Sequence, residues 1–158
     1  MERPYFPVFI DMEGRLVLVA GGGRIALRRV RTLLRFGAKI RVIAPRLCRE
    51  LEDMEKDRMI CIEQREYKPG DIKGAAFVLA ATDSREVNRQ IREECRTEGI
   101  PVNVSDDRDL CDFYFPSVVM TDGAVIGISS GGEDPGRTKE LRRRIEKTLG
   151  EGVKFSVS

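Results

Sequence analysis

Residues 16–30, LVLVAGGGRIALRRV, decide how the rest of the chain is read. An apolar run of strand length, Leu16–Ala20, ends in three glycines and becomes a helix pattern. Gly21, Gly23 and Ala26 fit the spacing G-x-G-x-x-A. Glycines allow a tight turn and a close backbone approach to a pyrophosphate. The free N–H groups of the new helix then face the phosphate charge. Glycine-rich turns also join strands to helices for steric reasons alone. Here the strand precedes and the helix follows, as a dinucleotide site requires.

Strand and helix patterns alternate outward from this point. The helix after the glycines carries apolar Ile25, Leu27, Val30, Leu33 and Leu34, and Gly37 stands where a helix C-terminal glycine belongs. Strands are expected at Lys39–Ile43, Ile60–Gln64, Ala75–Ala80 and Val102–Val104, and helices near Leu47–Met54 and Glu86–Glu98. Thr82, Asp83 and Ser84 offer caps for the latter helix, and Gly99 ends it. The repetition predicts an α/β fold, a Rossmann-like parallel sheet with helices on both faces. Ligand then lies beyond the carboxyl ends of the strands, where the loops 21–25, 80–84 and 105–107 converge.

After Pro116 the pattern changes. Phe113–Met120 and Val125–Ser129 read as strands joined at Thr121-Asp122-Gly123, and a helix starts near Pro135. Its apolar stripe, Leu141, Ile145 and Leu149, is narrow. A hairpin and one such helix bury little alone. This part is therefore expected to be a small α+β dimerisation region that packs on a second copy of the chain. The expected organisation is a dinucleotide-binding domain over 1–114, a dimerisation and substrate region over 115–150, and a frayed tail over 151–158.

Composition narrows the function. The 158 residues are 41% hydrophobic and carry a net charge of +2, which gives no global drive toward nucleic acid or membrane. Basic charge is local, at Arg24, Arg28, Arg29, Arg31 and Arg35 and from Arg137 to Lys147. Such runs are usually solvated faces; the sharper reading is a rim for an anionic ligand. Cys48, Cys61, Cys95 and Cys111 form no C-x-x-C pair and no secretory signal opens the chain, so free thiols in a cytoplasmic protein are expected. No apolar run is long enough to span a bilayer. The chain has no histidine, so acid–base work falls to carboxylate, Tyr, Lys or Cys.

Four places can carry chemistry. After the second strand, Pro45 and Arg46 stand where an NAD-binding fold usually has an acidic residue for the ribose. Arg46 suits the 2′-phosphate of NADP, although a solvated loop position is the simpler account. Thr82 and Asp83 sit where a cofactor would be touched, or merely cap a helix. Asn88 reads as a helix residue of low propensity, a surface position with no assigned role. In Val102–Pro116, Asp106 follows an apolar strand at the ligand edge of the sheet, where a carboxylate can take a proton from a substrate. Asp107 and Asp109 read as turn residues, and Cys111 as a small core residue. Finally, Ser129, Ser130 and Gly131 precede a helix start, with Arg137 beyond, as an anion-binding turn or a plain one.

The residues resemble a known family. YFPVFIDMEGRLVLVAGGGRIALRRVRTLLRFGAKIRVIAP at 5–45, VLAATDSREVN at 78–88, VNVSDDRDLCDFYFPSVV at 102–119 and IGISSGGEDP at 126–135 resemble, in order, blocks of the N-terminal region of siroheme synthases. The resemblance implies a precorrin-2 dehydrogenase, some members also being sirohydrochlorin ferrochelatases. It implies a cytoplasmic homodimer in which NAD oxidises precorrin-2, an octacarboxylate macrocycle, with Fe²⁺ or Co²⁺ as a transient metal substrate and no resident metal. It places the essential aspartate on Asp106 and cofactor contacts on Gly21, Gly22, Gly23, Arg24, Ile25, Pro45 and Arg46. Thr82 and Asp83 join the cofactor set, and Ser129, Ser130, Gly131 and Arg137 the substrate set. Ser130 matches a serine that some members phosphorylate. One departure is Asp134-Pro135, where the family usually has Ser-Pro. The alternative class is a non-enzymatic NAD-sensing regulatory module. Such modules usually keep the acid after strand two and need no Asp106.

Overall fold

β1 (Leu16–Ala20) is the centre of a sheet, and every residue after its first is fully buried. The computed structural model describes residues 5–121, 123–131 and 134–152. From β1 the chain runs through α1 (Arg24–Leu34), β2 (Lys39–Ile43), α2 (Arg49–Lys56), β3 (Cys61–Glu63), β4 (Phe77–Ala80), α3 (Arg85–Glu98) and β5 (Val102–Val104). These five strands form one parallel sheet in the order β3-β2-β1-β4-β5. Loops after β1 and β4 thus leave neighbouring strands for helices on different sides, which opens a crevice at the strand ends.

Alternation along the strands explains the two faces. Leu18, Ala20, Val78, Ala80, Val102 and Val104 pack with Ile91 and Cys95 of α3. The alternate residues, Val17, Val19, Val42 and Leu79, are equally buried on the side that α1 covers with Ala26, Leu27 and Val30. Helices on both faces are therefore present. Ile25 leaves the expected apolar stripe: it is 46% exposed in the first turn of α1. Conversely, Arg29 belongs to no solvated face, since it is 8% exposed.

Several element bounds differ from the sequence expectation for local reasons. α2 starts at Arg49 because Cys48 is held extended, its N–H donating to the Gly22 carbonyl at 2.8 Å. β4 starts at Phe77, as Ala75 closes a turn onto Ile72. The link from β3 to β4 has no helix. Arg65 instead grips Asp71 through both carboxylate oxygens at 2.7 and 2.8 Å and also reaches Glu63. Tyr67 donates to Glu94 of α3, and the Gly70 N–H donates to the same carboxylate at 2.6 Å.

The chain divides into two units, residues 10–113 and a second formed from residues 1–9 with 114–158. In the second, β6 (Ser117–Thr121) and β7 (Ala124–Ile128) form an antiparallel hairpin, and α4 (Pro135–Gly152) packs on β6. Tyr5 meets Tyr114 edge to face at 4.6 Å between ring centroids, their hydroxyls 3.0 Å apart. Asp122 of the expected hairpin turn and the last six residues of the expected frayed tail lie outside the described residues.

Candidate functional site

Three loops meet at the carboxyl ends of β1, β4 and β5. Gly21 donates to Ile43, Ala81 to Ala20, and Ser105 to Ala80, so each loop starts in register with its neighbour. Gly21 has φ +123°, and a Cβ there would land on the Ala81 carbonyl. A Cβ on Gly22 would strike the Arg46 carbonyl. These two glycines are steric necessities. Gly23 differs, because a Cβ on it meets nothing within 4 Å. It faces open space at the start of α1.

That helix start is electrically bare. Gly23 makes no side-chain cap, no acid lies in the first turn, and the first helical bond runs from Leu27 to Gly23. Early N–H groups of a helix have no intrahelical partner and carry partial positive charge. The residues present therefore fit a dinucleotide pyrophosphate. Arg24 and Ile25 are exposed beside it, and Pro45 and Arg46 are exposed after β2.

On the other side of the crevice a polar network surrounds Asp106. Its side chain is 28% exposed. Asn88 donates to Asp106 Oδ1 at 2.9 Å, and Arg85 Nε lies 3.7 Å from Oδ2. Asn88 is itself 1% exposed and fully used. Its Oδ1 accepts from the Thr82 N–H at 3.1 Å and from the Thr82 hydroxyl at 2.7 Å, and its Nδ2 also reaches the Thr82 carbonyl. Thr82 thus belongs to the scaffold under the carboxylate. Ser84, rather than Thr82 or Asp83, caps α3 by accepting from Val87; Asp83 is exposed. A carboxylate fixed on one oxygen by Asn88, with only a long contact to an exposed arginine on the other, can accept a proton.

Asp107 caps the short 3-10 turn Arg108–Leu110 through the Asp109 N–H at 3.1 Å. The Cys111 thiol donates to the Val104 carbonyl and accepts from the Val104 N–H, both at 3.2 Å. Burial pushes this thiol above its ordinary range. It is a neutral tie between loop and strand, since reactivity needs the thiolate. Burial likewise raises Cys95 to about 12. Buried Arg29 is lowered to about 10, first by desolvation and then by Arg28, with Cys111 opposing.

The serine loop is organised from within the second unit. Ser129 Oγ accepts from Gly131 at 3.1 Å. Ser130 Oγ lies 2.9 Å from the Thr138 hydroxyl and accepts from the Asp134 N–H at 3.2 Å. Asp134 accepts from the Arg137 N–H at 2.8 Å, so this departure from Ser-Pro keeps a helix cap. The Arg137 side chain is exposed.

Asn88 is not the surface residue expected from sequence but is buried between Thr82 and Asp106, and the arginines of α3 were not singled out at all. The available signal was an Asn of low helix propensity on the turn after Ser84, facing inward with Ile91 and Cys95.

A parallel sheet, a glycine turn and a bare helix start at its switch point define a dinucleotide-binding domain of the Rossmann class. The chain belongs to the family described as "Putative NAD(P)-binding", which matches residues 8–117. A nicotinamide dinucleotide is therefore its cofactor class. The chain is 42% identical over 143 residues to the "Probable multifunctional siroheme biosynthesis protein HemA" of Ruminiclostridium josui, covering 90% of this chain and 28% of that protein. It is 41% identical over 142 residues to a siroheme synthase of Ectopseudomonas mendocina, covering 90% of this chain and 30% of that protein. The chain thus spans under a third of the length of these curated relatives. A solved structure titled "SirC, precorrin-2 dehydrogenase" superposes with a TM-score of 0.78 at 26% identity, covering 91% of this chain and 71% of that one.

Proposed function

We propose that this protein oxidises precorrin-2 to sirohydrochlorin with NAD⁺, in siroheme or cobalamin formation. The observation that carries the reading is Asp106: a carboxylate anchored by Asn88 at 2.9 Å, at the strand end nearest the crevice. The oxidised nicotinamide, when bound, supplies the acceptor for a hydride. Oxidation breaks one substrate C–H bond with its electron pair leaving as hydride, and a second hydrogen departs as a proton. Asp106 takes that proton. Asn88 and Thr82 keep the carboxylate aimed, and Gly21–Ile25 hold the pyrophosphate against the start of α1. Arg46 is the reason to test the cofactor: equal or better turnover with NADP⁺ would overturn the choice of NAD⁺.

The same carboxylate can accept pyrrole N–H protons as Fe²⁺ or Co²⁺ enters the product, and absorption spectra with and without each metal read that step. Ser129, Ser130, Gly131 and Arg137 form the proposed substrate loop. A homodimer is proposed as the working assembly, and no helix among the described residues is long and apolar enough to cross a membrane.

The decisive variant is Asp106→Asn. Loss of a general base lowers kcat by about 10²–10⁴-fold. Binding of NAD⁺, followed by titration calorimetry, is expected to stay within about twofold of wild type, because the pyrophosphate contacts lie on α1. Normal precorrin-2 turnover by this variant would remove the base assignment. Saturable NAD⁺ binding without turnover in the wild type would favour a sensing module.

A further inference from the structure

Arg85 and Arg89 stand one turn apart on α3 and line one cleft together with Asn88, Val104, Leu110 and two carboxylates, Asp106 and Asp107, the latter turned to the Asp109 N–H. Like charges at this spacing repel and weaken a helix. Arg85 is held only by a long ion pair, and Arg89 by none among the described residues. Arg85 is 82% exposed and comes no nearer than 3.7 Å to Asp106. Arg89 makes no hydrogen bond or ion pair among the described residues. By contrast Arg92, one turn further along the same helix, is paired with Asp112 at 3.0 Å. The helix therefore holds two cations at the site end and uses neither for its own stability.

The cleft measures about 210 Å³. Pockets that enclose a whole ligand run to roughly 300–1,000 Å³. A macrocycle cannot enter, but a short carboxylate-bearing side chain can. Val104 and Leu110 suit its methylenes, and guanidinium forks suit its carboxylate, which they can take in bidentate fashion.

We infer that this cleft is an anchoring subsite for one acetate or propionate arm of the tetrapyrrole, with Arg89 as the principal carboxylate ligand and Arg85 as its helper. The inference rests on the dehydrogenase reading above and adds to it how the ring is oriented. Because Asp106 lines the same cleft, seating one arm fixes which edge of the macrocycle reaches the base. Arg89 acts on binding and register, and takes no part in the proton step.

The test uses Arg89→Gln and Arg89→Lys in the full chain, with precorrin-2 turnover, NAD⁺ titration and sirohydrochlorin titration by absorbance. Arg89 is exposed, so folding is not at stake. Arg89→Gln is expected to raise the KM for precorrin-2 about tenfold, as for loss of a charged binding contact. Its kcat should fall far less than its KM rises. Arg89→Lys should lie between, since an ammonium keeps the charge and loses the fork. NAD⁺ affinity should not move. An unchanged KM overturns the subsite. So does an NAD⁺ affinity that weakens in parallel, which would assign the cation to the cofactor. A wild-type protein without turnover sinks the dehydrogenase reading alone. The sirohydrochlorin titration then decides the cleft: weaker binding by Arg89→Gln keeps it, and equal binding ends it.

Discussion

Gly21 and Gly23 sit two residues apart in one turn, yet they answer to different demands. Gly21 is needed by the fold, because of its φ of +123° and the Ala81 carbonyl beside it. Gly23 has φ −90° and free space around it, so only a visitor needs it small. Gly21→Ala is expected to cost about 1–3 kcal/mol of stability, the range for a strained backbone position. Gly23→Ala is expected to melt within about 2 °C of wild type while binding NAD⁺ about tenfold more weakly, a change of about 1.4 kcal/mol. Thermal melts beside NAD⁺ titrations separate the two, and wild-type affinity in Gly23→Ala would remove the pyrophosphate from this turn. Both glycines were legible from spacing, but the difference between them was not, because it depends on the β4 loop brought alongside by the sheet. Asp106 was legible for its position after a strand. Asn88 was not, since what makes it matter is a hydrogen bond across a sequence gap to Asp106 and the pairing of its amide with Thr82. Arg29 was hidden for the opposite reason: among the four arginines of α1, pattern alone does not say which one turns inward.

At the scale of elements, strands were read more closely than their connections. Strand positions follow from runs of apolar residues that must be buried on both faces of a parallel sheet. Connections depend on single polar contacts, as where the Cys48–Gly22 bond delays α2. The helix-free link between β3 and β4 is the clearest example. Its order rests on Asp71, which is 13% exposed, accepts both Arg65 bonds and also takes the Lys68 N–H at 2.7 Å. The Arg65 bonds chiefly, and the Lys68 N–H after them, hold the Asp71 carboxyl below its ordinary value, while burial opposes. A group depressed in the folded state stabilises fully above its unfolded pKa of about 3.9, and that stability is lost as pH falls through the lower folded value. Asp71→Asn is therefore expected to cost about 1–3 kcal/mol at pH 7, where Arg65 keeps only Glu63 as a charged partner. Below about pH 4 the gap to wild type should narrow, because the unfolded carboxyl takes up its proton there before the folded one does, and it should close once pH has fallen through the folded value. Urea midpoints taken across this range measure it; a gap that stays constant down to the folded pKa would mean the loop is held by something else.

On the scale of the whole molecule, the open question is what covers the apolar start of the chain. Tyr5 is 55% exposed, Phe6 88%, Val8 65% and Phe9 77%, a density of bare large side chains that a soluble monomer rarely tolerates. The unit that contains residues 5–9 is a two-stranded hairpin with one helix, and Leu141 in that helix is 42% exposed. A hairpin of this size is marginal in water without a further packing partner. A second copy of the chain would supply such a partner for both features at once, and closed twofold pairing is the commonest solution. The wild-type chain is accordingly expected to sediment at twice its monomer mass at roughly 10 μM, a level at which a micromolar or tighter dimer is populated. Phe6→Ser combined with Phe9→Ser removes two of the most exposed rings and should move the equilibrium toward monomer. The residues proposed to hold the dinucleotide all lie within 10–113, so NAD⁺ affinity should survive in the double variant. Sedimentation and nucleotide titration on one sample test both halves. A wild type that stays monomeric, or a double variant that stays fully dimeric, would take the aromatic segment out of the interface.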